Sequence, residues 1–593
     1  MGAVIRKIPS VTMAFFFSLF WMTRKFYIYL KIKTSFLRHY HLLTSMATID
    51  KYDRQLRLWG AKGQRALGDT TVVLLRATAA GTETLKNLVL PGVGKIFVID
   101  DHHVARNDYA SNFFVTQSSS ISSSSTTTTT TTTSSSSTTV QSRAQIALEL
   151  LQEINPDVQG KWKHVASLVE ANLVDIILSA APDTSSILVI GADLEPALVK
   201  AVSHVCSDHA IPLLSVHAYG LIGMVRLQTP PLPLLQPKPT TEQPDLRLVT
   251  SFPEFLNLVN SIHLGELDDA AHGHVPYPIL LYKAVQEWKA SHDGNFPTSL
   301  AEKQDFRKTV HDGARKPDME LNFSEARDNS YLAYTEKAID VDHLNNLLQV
   351  SKDSCPKLHA MITGLFKFME THDQQTPMNG TIPDMTASTN LYVQLQQIYN
   401  SKAVADVAEM RLLVSSDIVD DNELDAFCKN VHHVDLLQTR AIYEEYNRSP
   451  TDELVDDWNM ATFDPYQVSE HTPLLWYMGV HACHLFYENH GRYPGVQEAW
   501  EDDIVGLQDC IRQVALFMKL NENELVQQTL LSPENKYAKE LARYANAEIH
   551  TIASIVGGVA SQEAVKIITG QYVPLNNTYI YNGIASTGDV YKL

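Results

Sequence analysis

Three features of the sequence predict an α/β fold that is interrupted by a large, mainly helical insertion and completed at the C-terminus. Thr71-Val72-Val73-Leu74-Leu75, a tight turn, the amphipathic Leu85-Lys86-Asn87-Leu88-Val89-Leu90 and then Lys95-Ile96-Phe97-Val98-Ile99-Asp100 follow the pattern of a βαβ unit. Ile187-Leu188-Val189-Ile190 is a continuous apolar run, as a strand buried on both faces requires. From about Asp245 to Asn535 apolar residues recur at three- and four-residue spacing, and strand character returns only at Tyr579-Ile580-Tyr581 and Asp589-Val590-Tyr591.

The remaining elements fit the same scheme. A helical pattern begins at Arg143-Ala144-Gln145-Ile146-Ala147-Leu148, and another spans Pro196 to Cys206. Pro212-Leu213-Leu214-Ser215-Val216 and the stretch Tyr219 to Leu227 read as strands. Ile549 to Gly570 reads as one long helix with the small residues Gly557, Gly558 and Ala560 on a packing face. The expected organisation is an N-terminal extension (1–45), the first part of an α/β domain (46–228), a proline-rich linker (229–244), a helical insertion (245–535) and the rest of the α/β domain (536–593).

Composition narrows the function classes. The 593 residues are enough for two or three domains, each with its own core. With 48 basic against 67 acidic side chains the formal charge is −19, which argues against nucleic acid as the main partner. The cysteines Cys206, Cys355, Cys428, Cys483 and Cys510 form no CxxC pair, so neither a disulfide framework nor a zinc ribbon is expected. His481-Ala482-Cys483-His484 has a spacing that suits no single helical face for a metal, and no metal site is expected. Residues 1–45 carry seven basic and no acidic side chains around the apolar Val11 to Met22, shorter than the roughly 20 apolar residues of a membrane span. The stretch could be a targeting segment, but Met46 is the expected start of the globular chain and no membrane role is expected. Ser118 to Thr139, almost wholly serine and threonine, reads as an expanded disordered loop.

The turn after the first strand carries the main functional signal. In a nucleotide-binding βαβ unit, glycines let the backbone approach the phosphates and the helix N–H groups hold the anion. Here the turn is Arg76-Ala77-Thr78-Ala79-Ala80-Gly81, with a single glycine and a long side chain where the loop should be open. The scaffold of a nucleotide site is therefore expected with a closed pocket.

Lys51-Tyr52-Asp53-Arg54-Gln55-Leu56-Arg57-Leu58-Trp59-Gly60, together with Lys86-Asn87-Leu88-Val89-Leu90-Pro91-Gly92-Val93-Gly94, resembles the ubiquitin-like-protein-activating enzymes. Ala218-Tyr219-Gly220-Leu221-Ile222-Gly223, Gly380-Thr381-Ile382-Pro383-Asp384-Met385, Gly491-Arg492-Tyr493-Pro494-Gly495, His550-Thr551-Ile552-Ala553 and Asn576 to Tyr581 extend the likeness over 48–593, apart from the Ser/Thr tract. Within that family it is most similar to the regulatory subunits of heterodimers that activate the cullin-modifying Rub/Nedd-type modifier. The resemblance implies a Rossmann-like pseudo-adenylation domain of the ThiF-like type, with the insertion in the place of a catalytic-cysteine domain.

Residue by residue, active members resemble G-x-G-G-x-G-x-E at the loop, where this chain has Arg76, Thr78, Ala79 and Gly81, with Glu83 kept. Their ribose-binding aspartate and phosphate-binding arginine correspond to His102 and Ser111, and Asp193 lies near their magnesium-binding aspartate, where a loop or capping role is expected. Neither Cys355 nor Cys428 sits in a recognisable nucleophile motif, and both are expected to be buried and structural. By the same resemblance ATP and Mg2+ would bind a catalytic partner subunit, with no cofactor here. Arg54 would reach across to the partner's ATP, or else would pair with Asp53 or Glu83. Further implied partners are the modifier and, through the complex, a conjugating enzyme, in cytoplasm and nucleus. A regulatory subunit for the SUMO modifier lacks so large an insertion, and a dinucleotide-dependent oxidoreductase would need the missing glycines.

Overall fold

The computed structural model describes residues 51–116, 141–238, 243–463, 471–496 and 500–593. The N-terminal extension and the Ser/Thr tract lie outside the described residues. One sheet of eight strands organises the chain, in the order β10-β9-β6-β5-β4-β1-β2-β3. Strands β1 (Thr71–Leu75), β2 (Lys95–Asp100), β3 (Gln159–His164), β4 (Ile187–Ala192) and β5 (Leu213–Tyr219) run parallel. Strands β6 (Ile222–Gln228), β9 (Thr578–Asn582) and β10 (Thr587–Tyr591) extend it antiparallel. Every residue of β1, β4, β5 and β6 is buried; β4 accordingly reads as an unbroken apolar run, whereas β5 and β6 also bury Ser215, His217, Arg226 and Gln228.

Helices cover both faces. On one side α2 (Ala79–Val89), α3 (Arg143–Ile154) and the long C-terminal α6 (His550–Thr569) share a core with Val72, Leu74, Ile190 and Val225. On the other, α4 (Pro196–Asp208) and Leu173–Leu178 pack on Val73, Leu75 and Val189. The alternation of strand residues between the two cores is the period-two pattern of a doubly covered sheet. Helix α1 (Asp53–Asp69), interrupted at Gly60 (φ 70°), lies outside α6 and carries the Arg54 motif.

The helical region divides by what it packs against. Residues from Leu246 to Val434 build two cores of their own, one around Phe255, Phe306 and Tyr399 and one around Leu358, Phe368 and Phe427. Helix α5 (Pro473–His490) and the helices at Asp503–Phe517 and Lys536–Tyr544 instead share a core with Tyr219, Ile222, Met224 and Ile580 of the sheet. The expected boundary at residue 535 thus falls inside a core that continues into the sheet. Residues 229–244, expected as a linker, include the short strand β7 (Leu232–Leu234), which pairs antiparallel with β8 (Asp435–Leu437) as the chain enters and leaves the helical region.

A buried ion pair fastens that return path. Arg226 of β6 donates to Glu445 at 2.8 Å and to the Tyr446 hydroxyl at 3.1 Å, and Tyr477 of α5 donates to the same Glu445 carboxylate at 3.1 Å. Replacing Glu445 with alanine strands a buried guanidinium, and a loss of about 3–5 kcal/mol is expected. The urea unfolding midpoint of Glu445→Ala against wild type measures it, and an unshifted midpoint would refute this account of the junction.

Candidate functional site

Strand order reverses between β1 and β4, and crevices at such a switch point, beyond the carboxyl ends of the strands, are where α/β sheets bind ligands. Arg76 leaves β1 there and Asp193 leaves β4. Arg76 takes φ 69°, a left-handed conformation that suits glycine, so this position keeps the backbone shape of an open loop while bearing a side chain. Its guanidinium pairs with Asp101 at 3.1 Å and Glu195 at 2.7 Å, spanning the crevice from the β2 side to the β4 side. Burial works against that cation, but Glu195 and Asp101 outweigh it and hold its pKa above the ordinary arginine value.

Thr78 is the N-cap of α2, its hydroxyl accepting the Gly81 N–H and donating to Asp193 at 2.6 Å. Asp193 also accepts the Ala218 N–H at 2.8 Å, so it ties the N-cap residue of α2 to β5 from the loop after β4 and is itself no helix cap. The Ala80 N–H donates to the Glu548 carboxylate at 2.6 Å. Burial first, and the neighbouring Asp193 carboxylate second, push Glu548 up to about 8. Burial raises Asp193 as well, against the hydrogen bonds from Thr78 and Ala218. The helix N-terminus that would hold a phosphate is therefore already occupied by a carboxyl group of the chain itself.

The surviving Gly81 has a packing reason. A Cβ there would stand 2.8 Å from both the Ala192 Cβ and the Arg76 carbonyl oxygen, so the residue lets α2 press onto the sheet. Glu83 is buried and pairs with Lys86, and Gly557 of α6 lies directly against it.

At the end of β2, Asp100 receives Arg143 through Nε at 2.7 Å and Nη2 at 3.1 Å. Burial would raise Asp100, but hydrogen bonds from His102 and Arg143 hold it down at about 2. His102, at the ribose-recognition position, is half-exposed and pushed up to about 9 by the Asp100 and Asp101 carboxylates. Asp100, Asp101 and His102 are the one group of metal-ligand type among the described residues. Arg143 and Arg76 already neutralise the two carboxylates, so the group forms an ion-pair network and does not fit a divalent cation. Ser111 contributes its backbone carbonyl to His550 Nδ1 at 2.9 Å, leaving no cation at the position of the family's phosphate-binding arginine. Taken together, Arg76, Glu548 and these pairs do not fit a bound nucleotide.

Arg54 lies apart, exposed on α1, and has no ion-pair partner among the described residues. Neither partner weighed for it is free, since Asp53 pairs with Arg57 at 2.9 Å and Glu83 with Lys86. Cys355 and Cys428 are buried, and burial pushes the Cys428 thiol up to about 12 and raises Cys355. That is the opposite of what a thiolate nucleophile needs. His481, Ala482, Cys483 and His484 are all buried in α5.

The loop residues and His102 were legible from the motif. Glu548, Glu195, Arg143 and Asp101 were not, since Glu548 meets Ala80 across 468 positions of sequence. The acidic residue just ahead of a long helix was the only local sign of it.

A family model described as ThiF matches residues 52–592. The chain belongs to the ThiF family. It is 33% identical to the chicken protein named NEDD8-activating enzyme E1 regulatory subunit, over 92% of this chain and 98% of that one. The zebrafish protein of that name is 32% identical with the same coverage. The Arabidopsis NEDD8-activating enzyme E1 regulatory subunit AXR1 is 30% identical over 92% of this chain and 96% of its own length.

Burial lowers His217, beside the crevice, and His481 to about 4 and about 3, so both are neutral when folded. The unfolded chain protonates them near pH 6.5, so stability present above that value is lost as pH falls toward 4, by about 1.4 kcal/mol per pH unit for each histidine. A His217→Gln variant should show a shallower acid limb in melting temperature against pH, and an identical limb would refute the assignment.

Proposed function

We propose that this chain is the regulatory subunit of a heterodimeric activating enzyme for a NEDD8-type ubiquitin-like modifier. The observation that carries the reading is a nucleotide scaffold whose loop is filled by the chain's own Arg76 and Glu548, in a protein that is alike over 92% of its length to such subunits. The catalytic partner binds ATP and Mg2+, adenylates the modifier's C-terminus and carries the thioester cysteine; a conjugating enzyme is reached through the complex. This chain supplies one α/β half of the paired core, and its helical region faces partner and modifier, in cytoplasm and nucleus. The same likeness, over 92% of this chain, disfavours a SUMO-type subunit, which lacks an insertion of this size.

Arg54 acts in trans. It is a fixed cation on an exposed helix with no partner among the described residues, and a guanidinium can steady the negative charge that develops during adenylyl transfer. Membrane attachment is not part of the reading: the one described helix long and apolar enough to span a bilayer is α6, which packs on α2 and the sheet.

The test is ATP-dependent adenylate and thioester formation with this chain alone, with a catalytic subunit, and with both. Activity only in the mixture is expected, and activity from this chain alone would sink the proposal. In the mixture Arg54→Ala should leave the heterodimer intact on gel filtration and slow adenylate formation about 10²–10³-fold, as loss of one electrostatic donor does. A mutant at full rate would remove the trans role.

A further inference from the structure

We propose that Gln571, together with Lys238, is a positioning residue for Arg54, a role that deepens the trans reading of that arginine and rests on it. Helix α1 breaks at Gly60, whose φ of 70° and ψ of 176° set residues 53–59 apart from the rest of the helix. Arg54 stands on that first segment, exposed. A helix that stops leaves its last carbonyls without helical partners, and a segment this short is not stable as a helix by itself. Its angle, and with it the direction of Arg54, is set from outside.

Both ends of the segment are held. At its start, Asn155 at the end of α3 donates to the Tyr52 hydroxyl at 3.0 Å and to the Val89 carbonyl at 2.8 Å. At the break, the Trp59 carbonyl accepts from Gln571 Nε2 at 2.8 Å, and the Leu58 carbonyl accepts from Lys238 Nζ at 2.9 Å. Lys238 also donates to Gln571 Oε1. An amide suits this place because it donates to a carbonyl and accepts from an ammonium at once. Gln571 is buried and follows Gly570, the left-handed C-cap of α6. A parallel bridge to Gln236, with the Tyr572 N–H donating to the Gln236 carbonyl at 2.9 Å, ties it to the stretch that leads from β7 into the helical region. Segments far apart in sequence thus converge on two carbonyls at the foot of the Arg54 segment. A shift of about 1 Å at a reacting group can cost about 10²-fold in rate, so this remote mount has leverage on the chemistry.

The test is a double-mutant cycle in the assembled heterodimer, reading kcat and KM of adenylate formation for Gln571→Ala, Arg54→Ala and both together. Gln571→Ala is expected to lower kcat about ten-fold with the KM for ATP unchanged and the heterodimer intact on gel filtration. Added to Arg54→Ala it should cost nothing more, because the group it positions is gone. Losses that multiply would make Gln571 a helix cap only and overturn the inference, as would a full-rate Gln571→Ala enzyme or a loss confined to KM. A full-rate Arg54→Ala enzyme overturns the trans reading and this role with it. Should Gln571→Ala fail to assemble, Lys238→Met, at an exposed side chain, takes its place in the cycle. A loss of about five-fold that vanishes in the Arg54→Ala background is then expected. Full rate, or a loss that multiplies, overturns the proposal.

Discussion

Gly557 of α6 and Glu83 of α2 approach so closely that a Cβ on the glycine would stand 2.9 Å from the glutamate Cβ. That contact joins the last part of the chain to the first helix of the sheet. The rest of the architecture depends on it, because α6 also covers β5 and β6, and the chain that follows it supplies β9 to the open side of β6. The seat of α6 places Glu548 at the crevice, and it gives α1 a surface to lie on. A larger residue at 557 would disturb the core, the closure of the sheet and the crevice together.

Electrostatic matching is the second organising element. Arg76, Arg143 and His102 face Asp100, Asp101, Asp108 and Glu195, so a crevice that in a nucleotide site would present donors to an anion is balanced from within. Such pairs lose solvation on burial, and what they gain is a single arrangement of the loop more than added stability. Arg54 on α1 takes no part in this network and has no ion-pair partner among the described residues.

Much of the parallel half of the sheet was legible because β1 and β4 are buried on both faces and are almost wholly apolar, and the apolar residues of β5 outnumber its buried Ser215 and His217. Strand β3 was not, because Gln159-Gly160-Lys161-Trp162-Lys163-His164 is an edge strand whose polar residues face solvent and carry no periodic signal. Strands β7 and β8 each have three residues and exist through one another. The division of the helical region was hidden for a similar reason: α5 is apolar on nearly all sides, so its pattern does not say whether it packs on helices or on the sheet. At the crevice, Arg76 and His102 announced themselves by breaking a spacing rule. Glu548 breaks no rule locally, and only the packing of α6 brings it into place.

The pairing of Ile222 with Asn582 has a bearing on how the protein is made. While the ribosome works through the helical region, β6 has its β5 neighbour but its other edge stays bare, a ready template for foreign strands. The region between Leu246 and Val434 owns its cores and can settle early, whereas the sheet must wait for almost the last residues of the chain. A chain cut short near its end would therefore emerge with well-formed helices and an unsealed sheet, the state most exposed to aggregation and to quality control.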